Sequence, residues 1–255
     1  MSDLLMNALP PYLLALGDDE LVLGHRDSEW CGHAPILEED IAFANLALDE
    51  IGHANLWYSL LAELSGKDPN TYSDELIYRR DLAGFRCDRL VELPNGDWAY
   101  SMLRQYLFDA AESVRLTELV HSKFAPLAET AVKIQKEEVY HLRHTEAWTR
   151  RLGLGTEESH RRMQIALDML WPYTGQLFEP FPKEDELAKA GIIPTGDQLH
   201  AAWLRHVSLI LQECGLETIL TSSTTSLGRE QHTPYLKVLV DEMQSVARMQ
   251  PEATW

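Results

Sequence analysis

Cysteine, positive charge and long apolar runs are all scarce in this 255-residue chain, and each shortage removes a class of protein. The three cysteines, Cys31, Cys87 and Cys214, are odd in number, widely spaced and never in a Cys-x-x-Cys pair. That argues against a disulfide framework or a thiolate zinc site and suggests reduced thiols acting as small core fillers. Lys and Arg number 22 against 40 Asp and Glu, a formal charge of −18. Such a surface repels nucleic acid and anionic membranes, and it disfavours unaided binding of a polyanion such as coenzyme A. No apolar run reaches membrane-spanning length, and the amino terminus lacks the basic start of a secretory signal. The expectation is a soluble, cytoplasmic protein.

Low-complexity tails, heptad arrays and domain-dividing linkers are also missing, and few stretches alternate as strands do. What remains is helical periodicity, with 45% apolar residues available for a core. The spacing predicts helices over Pro11–Arg26, with Pro10-Pro11 at the start, over Ile36–Leu64, ended by Ser65-Gly66, and over Asp74–Leu90. A long pair follows at Asp97–Ser122 and Pro126–Leu152, then a helix from the Gly153–Gly155 break to Phe178. Glu179–Gly196 reads as loop with a helical turn at Glu184–Ala190. Helices resume over Asp197–Cys214 and Pro234–Met249, with Thr221–Ser226 as an extended excursion between them. The expected architecture is one all-α domain over residues 1–255, with a four-helix core at about 10–152 and a helical extension at about 156–255. Trp57, Trp148, Trp171 and Trp203 fall at core spacing and read as packing.

Two of the predicted helices carry Glu-x-x-His pairs, Glu50/His53 and Glu138/His141. Residues three apart share a helix face, so each pair can bind one cation. An acidic residue lies about 30 positions upstream of each, Glu20 and Asp109, the distance of one helical hairpin. A carboxylate followed by Glu-x-x-His, given twice, is the ligand plan of a di-iron or di-manganese four-helix bundle. In that plan Glu50 and Glu138 bridge, each His completes one ion, and Glu20 and Asp109 are terminal. Glu112, one turn from Asp109, competes for the same role.

The spacing alone is weak evidence. With 24 Glu and 10 His, chance supplies about one such pair, and four occur. Glu118/His121 shares a face with Arg115 and Ser122, and Glu157/His160 opens a helix where acidic groups suit the dipole. Glu50 and His53 instead line up with Phe43, Leu46, Ala54, Trp57 and Leu61. Glu138 and His141 line up with Ala131, Ile134, Gln135 and Leu142, a mostly apolar face. A carboxylate on such a face is costly unless paired, protonated or metal-bound, so a buried ion-pair network is the alternative. Gly52, inside the first pair, either admits a close neighbouring helix or is incidental. His25, His33, His144 and His206 have no partner at ligand spacing.

Local sequences also resemble a known family. Gly-Asp-Asp-Glu-Leu-Val-Leu-Gly-His-Arg at 17–26, Glu-Trp-Cys-Gly-His-Ala-Pro at 29–35 and Asp-Ile-Ala-Phe-Ala-Asn-Leu-Ala-Leu-Asp at 40–49 resemble PaaC-type subunits of bacterial phenylacetyl-CoA epoxidases. So do Pro94-Asn95-Gly96, Arg104-Gln105-Tyr106, Tyr140–Arg143, His232-Thr233, Glu242–Gln244 and Trp255. The resemblance implies a ferritin-like fold within a multicomponent monooxygenase that adds one oxygen atom to the ring of phenylacetyl-CoA. It also implies a homologous PaaA-type partner that holds the di-iron centre, and a separate reductase. The PaaC-type partner of that family is regarded as structural, having lost some ligands. This chain departs from that pattern, because positions 20, 50, 53, 109, 138 and 141 all carry residues able to bind iron. Three functions follow as expectations. The chain is a supporting subunit, possessing a site that either persists as a polar network or binds metal, and forms a hetero-oligomer, with a homodimer as its isolated form. Alternatively it is a di-iron oxygenase in its own right. An iron-storage shell fits the extra helices after Leu152 poorly.

Overall fold

A computed structural model describes residues 3–218 and 228–250, and every regular element among them is helical. The long elements are α1 (Asp3–Ser28), α2 (Leu37–Ser65), α5 (Trp98–Leu119) and α6 (Ala125–Gly153). Between the two pairs lie α3 (Pro69–Asp74) and α4 (Arg89–Glu92). After them come α7 (Glu157–Leu170), α8 (Glu184–Lys189), α9 (Gly196–Glu213), α10 (Pro234–Met243) and α11 (Ser245–Met249). Helix α1 packs along α2 and α5 along α6, and the two hairpins meet through α2 and α6. This is an all-α, ferritin-like bundle. The apolar stripes converge on one core that includes Leu13, Leu16, Trp57, Leu61, Phe108 and Ile134. Helices α7 and α9 pack on α5 and extend that core through Leu167 and Trp203, whose indole Nε1 donates to the Leu107 carbonyl at 3.0 Å.

Caps explain several boundaries. Asp97 accepts from the Tyr100 amide at the start of α5, and Thr195 and Gln198 form a capping box at α9. Gly66 closes α2 in the left-handed region at φ 66°, where other residues are strained.

Several boundaries differ from the sequence expectation: α3 forms ahead of Asp74, and the helix expected over Pro234–Met249 is divided at Gln244 into α10 and α11. Helix α1 begins at Asp3 and runs through Pro10 and Pro11. Ala8 and Leu9 are fully buried, and this packing holds the upstream turns helical although two amide donors are lost. The expected helix over Asp74–Leu90 is broken: a π-turn at Glu75–Arg79 and a 3₁₀ turn at Leu82–Gly84 lead into extended chain before α4. Buried carboxylates on α1 take the amides that a helix would use. Asp18 accepts from the Arg86 amide at 2.6 Å and Asp19 from the Asp88 amide at 2.5 Å. The expected helix to Phe178 ends at Leu170 and continues as a 3₁₀ segment, Trp171–Phe178, with Pro172 near its start. Cys87 and Cys214 are buried as expected, whereas Cys31 is exposed in the turn after α1. The excursion at Thr221–Ser226 lies outside the described residues.

Asp18 is the anchor of the α1 to α4 connection. It is fully buried, and it accepts from the Tyr58 hydroxyl at 2.6 Å and from Arg80 at 2.5 and 3.1 Å. Asp18→Ala would strand the Arg80 guanidinium and the Tyr58 hydroxyl, so it should cost about 3–5 kcal/mol. Urea unfolding measures this, and a loss under about 1 kcal/mol would contradict the anchoring role.

Candidate metal centre

The bundle interior is acidic where the two hairpins meet. Glu20 comes from α1, Glu50 and His53 from α2, Asp109 from α5, and Glu138 and His141 from α6, all of them buried. Gly24 makes the α1–α2 approach possible. A Cβ there would lie 2.9 Å from the Glu50 Cβ and 3.0 Å from the Ala47 carbonyl oxygen. One turn before Gly24, Glu20 faces His53, with Oε2 3.8 Å from the ring Nδ1. Glu50 lies between the two imidazoles, 3.8 Å from His53 Nδ1 through Oε2 and 3.5 Å from His141 Nδ1 through Oε1. Glu138 Oε2 is 3.2 Å from His141 Nδ1.

These side chains form two compact groups, Glu20 with Glu50 and His53, and Glu50 with Glu138 and His141, each with its donor atoms within 4.8 Å of one another. Glu50 belongs to both groups, and Glu138 joins only the second. Asp109 belongs to neither: Gln105 Nε2 donates to its Oδ1 at 2.8 Å and Thr145 Oγ1 to its Oδ2 at 2.7 Å. The same Gln105 nitrogen donates to Glu50 Oε1 at 2.8 Å, so Asp109 stands beside the groups through a shared donor. Glu112 instead forms an ion pair with the buried Arg115.

Sequence reasoning missed the outer partners of the imidazoles. His53 Nε2 meets Glu137 Oε2 at 2.9 Å, and His141 Nε2 meets Asp49 Oδ2 at 3.2 Å. Each carboxylate immediately precedes the glutamate of the opposite motif, so the pairing is crossed between α2 and α6. The signal was present as Asp49-Glu50-x-x-His53 and Glu137-Glu138-x-x-His141. A carboxylate on Nε2 fixes the proton there and aims a bare Nδ1 lone pair inward, the tautomer a metal-ligating histidine needs. Phe43, Leu46 and Met102 form a second apolar cluster, one to two turns from Glu50 and Asp109 on the same helices, flanked by Trp30, Trp98 and Trp148.

Inward-facing atoms lack partners. Both oxygens of Glu20, both of Glu138, Glu50 Oε2 and the Nδ1 atoms of His53 and His141 make no hydrogen bond. Acceptors converging on acceptors are repulsive without protons or cations between them. Four carboxylates and two neutral imidazoles match the charge of two divalent cations, and the mixed O/N set suits iron or manganese. The residues present therefore fit such a pair. A third group, Cys87, Glu92 and His232, contrasts with them. Glu92 takes His232 Nδ1 at 2.6 Å and the Thr233 amide at 2.5 Å, and His232 Nε2 meets the Phe85 carbonyl at 3.1 Å. That group is a satisfied tie for the chain before α10. The two other Glu-x-x-His pairs stay outside the interior: Glu118, His121 and Glu157 are exposed, and His160 Nδ1 meets the Gly153 carbonyl.

Without cations the surroundings favour the protonated form at Glu20, Asp109 and Glu138 and the ionised form at Glu50. Burial, then the Glu50 and Glu138 charges, push Glu20 well above the usual range, and burial with Glu138 and Glu50 does the same to Asp109. Burial also raises Glu138, against the opposing pull of His141. Burial would raise Glu50 too, yet the facing Glu20, His141 and His53 hold it well below the usual value. Burial works against charge on the imidazoles, but Glu50 and its neighbours raise His53, and Asp49, Glu138 and Glu50 raise His141.

The fold and this acidic, imidazole-bearing interior define a ferritin-like carboxylate bundle. Comparison with known proteins gives the family: the model for phenylacetic acid catabolic proteins matches residues 1–255, and the chain belongs to that family. It is 39% identical to the C component of the 1,2-phenylacetyl-CoA epoxidase of Escherichia coli K12 over 251 residues, covering 98% of this chain and all of that protein. It is 28% identical to the A component of the same epoxidase over 155 residues, 60% of this chain and 48% of that protein.

The protonated interior has a consequence for the metal-free protein. Glu20, Asp109 and Glu138 keep protons in the folded chain above pH 4.5, where the unfolded chain releases them, so stability falls as pH rises. Asp27, raised to about 8, acts in the same sense, as do His53 and His141 above about 6.5, while Glu50 acts oppositely only below 4.5. Chelator-treated protein should be less stable to urea at pH 8 than at pH 5.5 by at least about 1.4 kcal/mol, the equivalent of one pKa unit for one group. Equal or greater stability at pH 8 would contradict this reading of the core.

Proposed function

We propose that this chain is a supporting, C-type subunit of a phenylacetyl-CoA ring epoxidase, working in the cytoplasm beside a homologous A-type catalytic subunit. The observation that carries this is the end-to-end similarity to the C component of that enzyme, set against a match to only about half of the A component. We also propose that its interior holds two divalent metal ions, iron or manganese. The unpartnered atoms of Glu20, Glu50, His53, Glu138 and His141 support this.

In that assignment Glu20, Glu50 and His53 hold one ion and Glu50, Glu138 and His141 the other. Asp109 adds the fourth carboxylate charge beside them. Asp49 and Glu137 keep the protons on the outer imidazole nitrogens, while Gln105 and Thr145 fix the Asp109 carboxylate. When bound, an iron pair would supply redox chemistry toward dioxygen. The retained ligand-capable set favours a second reading, an oxygenase in its own right.

Two measurements separate these readings. Co-expressed with the A-type homologue of the same organism, the chain should co-purify as a stable complex and show no oxygenation when assayed alone. A lone chain that oxygenates phenylacetyl-CoA would establish the second reading instead. Anaerobic Fe(II) loading should give about two ions per chain, about one in His53→Ala and fewer than about 0.5 in Glu50→Ala, because Glu50 serves both groups. Fewer than about 0.2 ions in the unaltered chain would eliminate the metal assignment.

A further inference from the structure

A glutamate that serves two cation positions has to present one oxygen to each, and its own side chain does not arrange this. The terminal torsion of a glutamate is broad and roughly two-fold, so the stem leaves the carboxylate free to turn. In this bundle the head of Glu50 is nevertheless divided: Oε1 lies 3.5 Å from His141 Nδ1, and Oε2 lies 3.8 Å from His53 Nδ1. Neither approach is a good hydrogen bond. The contact that holds the head comes from α5, where Gln105 Nε2 donates to Oε1 at 2.8 Å, while Oε2 has no partner.

Gln105 is itself fixed. It is fully buried, and the same nitrogen donates at 2.8 Å to Asp109 Oδ1, one turn further along α5. An amide nitrogen carries two protons, so both are committed, one to each carboxylate. Turning the amide over would set its oxygen against both acceptors, so charge decides its orientation. Its own Oε1 is left buried without a partner. That costs stability, and an apolar side chain of the same length would fill the space without the cost. We propose that Gln105 is the positioning residue of the shared carboxylate. It holds Glu50 Oε1 on the His141 side and so leaves Oε2 for the His53 side, and the bridge is set before any ion arrives. This deepens the metal reading above and rests on it. Without the amide, Glu50 can turn both oxygens to one position and leave the other with a single glutamate and one imidazole.

The test loads the full chain anaerobically with Mn(II). Elemental analysis gives ions per chain, calorimetry the stepwise affinities, and low-temperature electron paramagnetic resonance the coupling between ions. The unaltered chain should bind about two ions, magnetically coupled through the common carboxylate. Gln105→Met fills the same space and donates nothing. It should keep the helical circular dichroism spectrum and show the resonance of isolated Mn(II). Its second ion should bind at least about tenfold more weakly, the usual cost of losing an outer partner of a ligand. Gln105→Leu carries the same expectation should Gln105→Met not fold. Thr145→Val, which leaves both hydrogen bonds of Gln105 in place, should keep the coupled pair. If Gln105→Met also holds a coupled pair, with second-ion affinity within about twofold of the unaltered chain, the positioning role is wrong while the metal reading stands. Two uncoupled ions in the unaltered chain, or equal loss of coupling in Thr145→Val, overturn the role as well. Fewer than about 0.2 ions in the unaltered chain removes the metal reading and this inference with it.

Discussion

Everything in this bundle is arranged around one electrostatic problem, the burial of Glu50 between two imidazoles and two further glutamates. In an apolar interior an unpaired carboxylate is expensive, and here several converge with their acceptor atoms facing inward. Protons relieve the repulsion in the metal-free chain, and two divalent cations would relieve it with full charge balance. The remaining geometry serves that cluster. Gly24 lets α1 lie close enough for Glu20 to face His53, and the crossed Asp49/His141 and Glu137/His53 contacts join α2 to α6.

The chain is built in two layers of polar burial, with different outcomes. Around Asp18, Asp19 and Glu92, every carboxylate meets arginine, histidine or backbone amides, and these contacts tie the irregular segment between α3 and α4 and the chain before α10 to the bundle. Around Glu20, Glu50 and Glu138 both oxygens of the two outer glutamates and Glu50 Oε2 make no hydrogen bond, and the nearest imidazole nitrogens stand 3.2–3.8 Å away. The same residue types thus act as structural ties in one place and as open ligands in another, and the difference is the presence of fixed partners. Membership of the phenylacetic acid catabolic family gives this open site a chemical setting.

Much of the site could be read from periodicity. Glu50, His53, Glu138 and His141 stand at three-residue spacing on apolar faces, so their common direction follows from helix geometry. The distance of one hairpin pointed to Glu20 and Asp109. Spacing could not show that Gln105 and Thr145 hold both oxygens of Asp109, since those contacts depend on the relative rotation of α5 and α6. Nor did it show Asp49 and Glu137 as imidazole partners, although both precede the motif glutamates. The long helices were legible from their apolar stripes. The break after Asp74 was not, because the amides there are taken by Asp18 and Asp19, which lie more than 60 residues upstream. Local propensity is silent about such long-range competition. The extension of α1 through Pro10-Pro11 was hidden similarly, by burial of Ala8 and Leu9.

The central claim is that Glu50 is shared between two cation positions inside the bundle. Anomalous diffraction at the iron absorption edge, from crystals of protein loaded anaerobically with Fe(II), tests it most directly. The account predicts two peaks, one between Glu20, Glu50 and His53 and the other between Glu50, Glu138 and His141. An interior without anomalous density, its carboxyls in contact with one another alone, would contradict it.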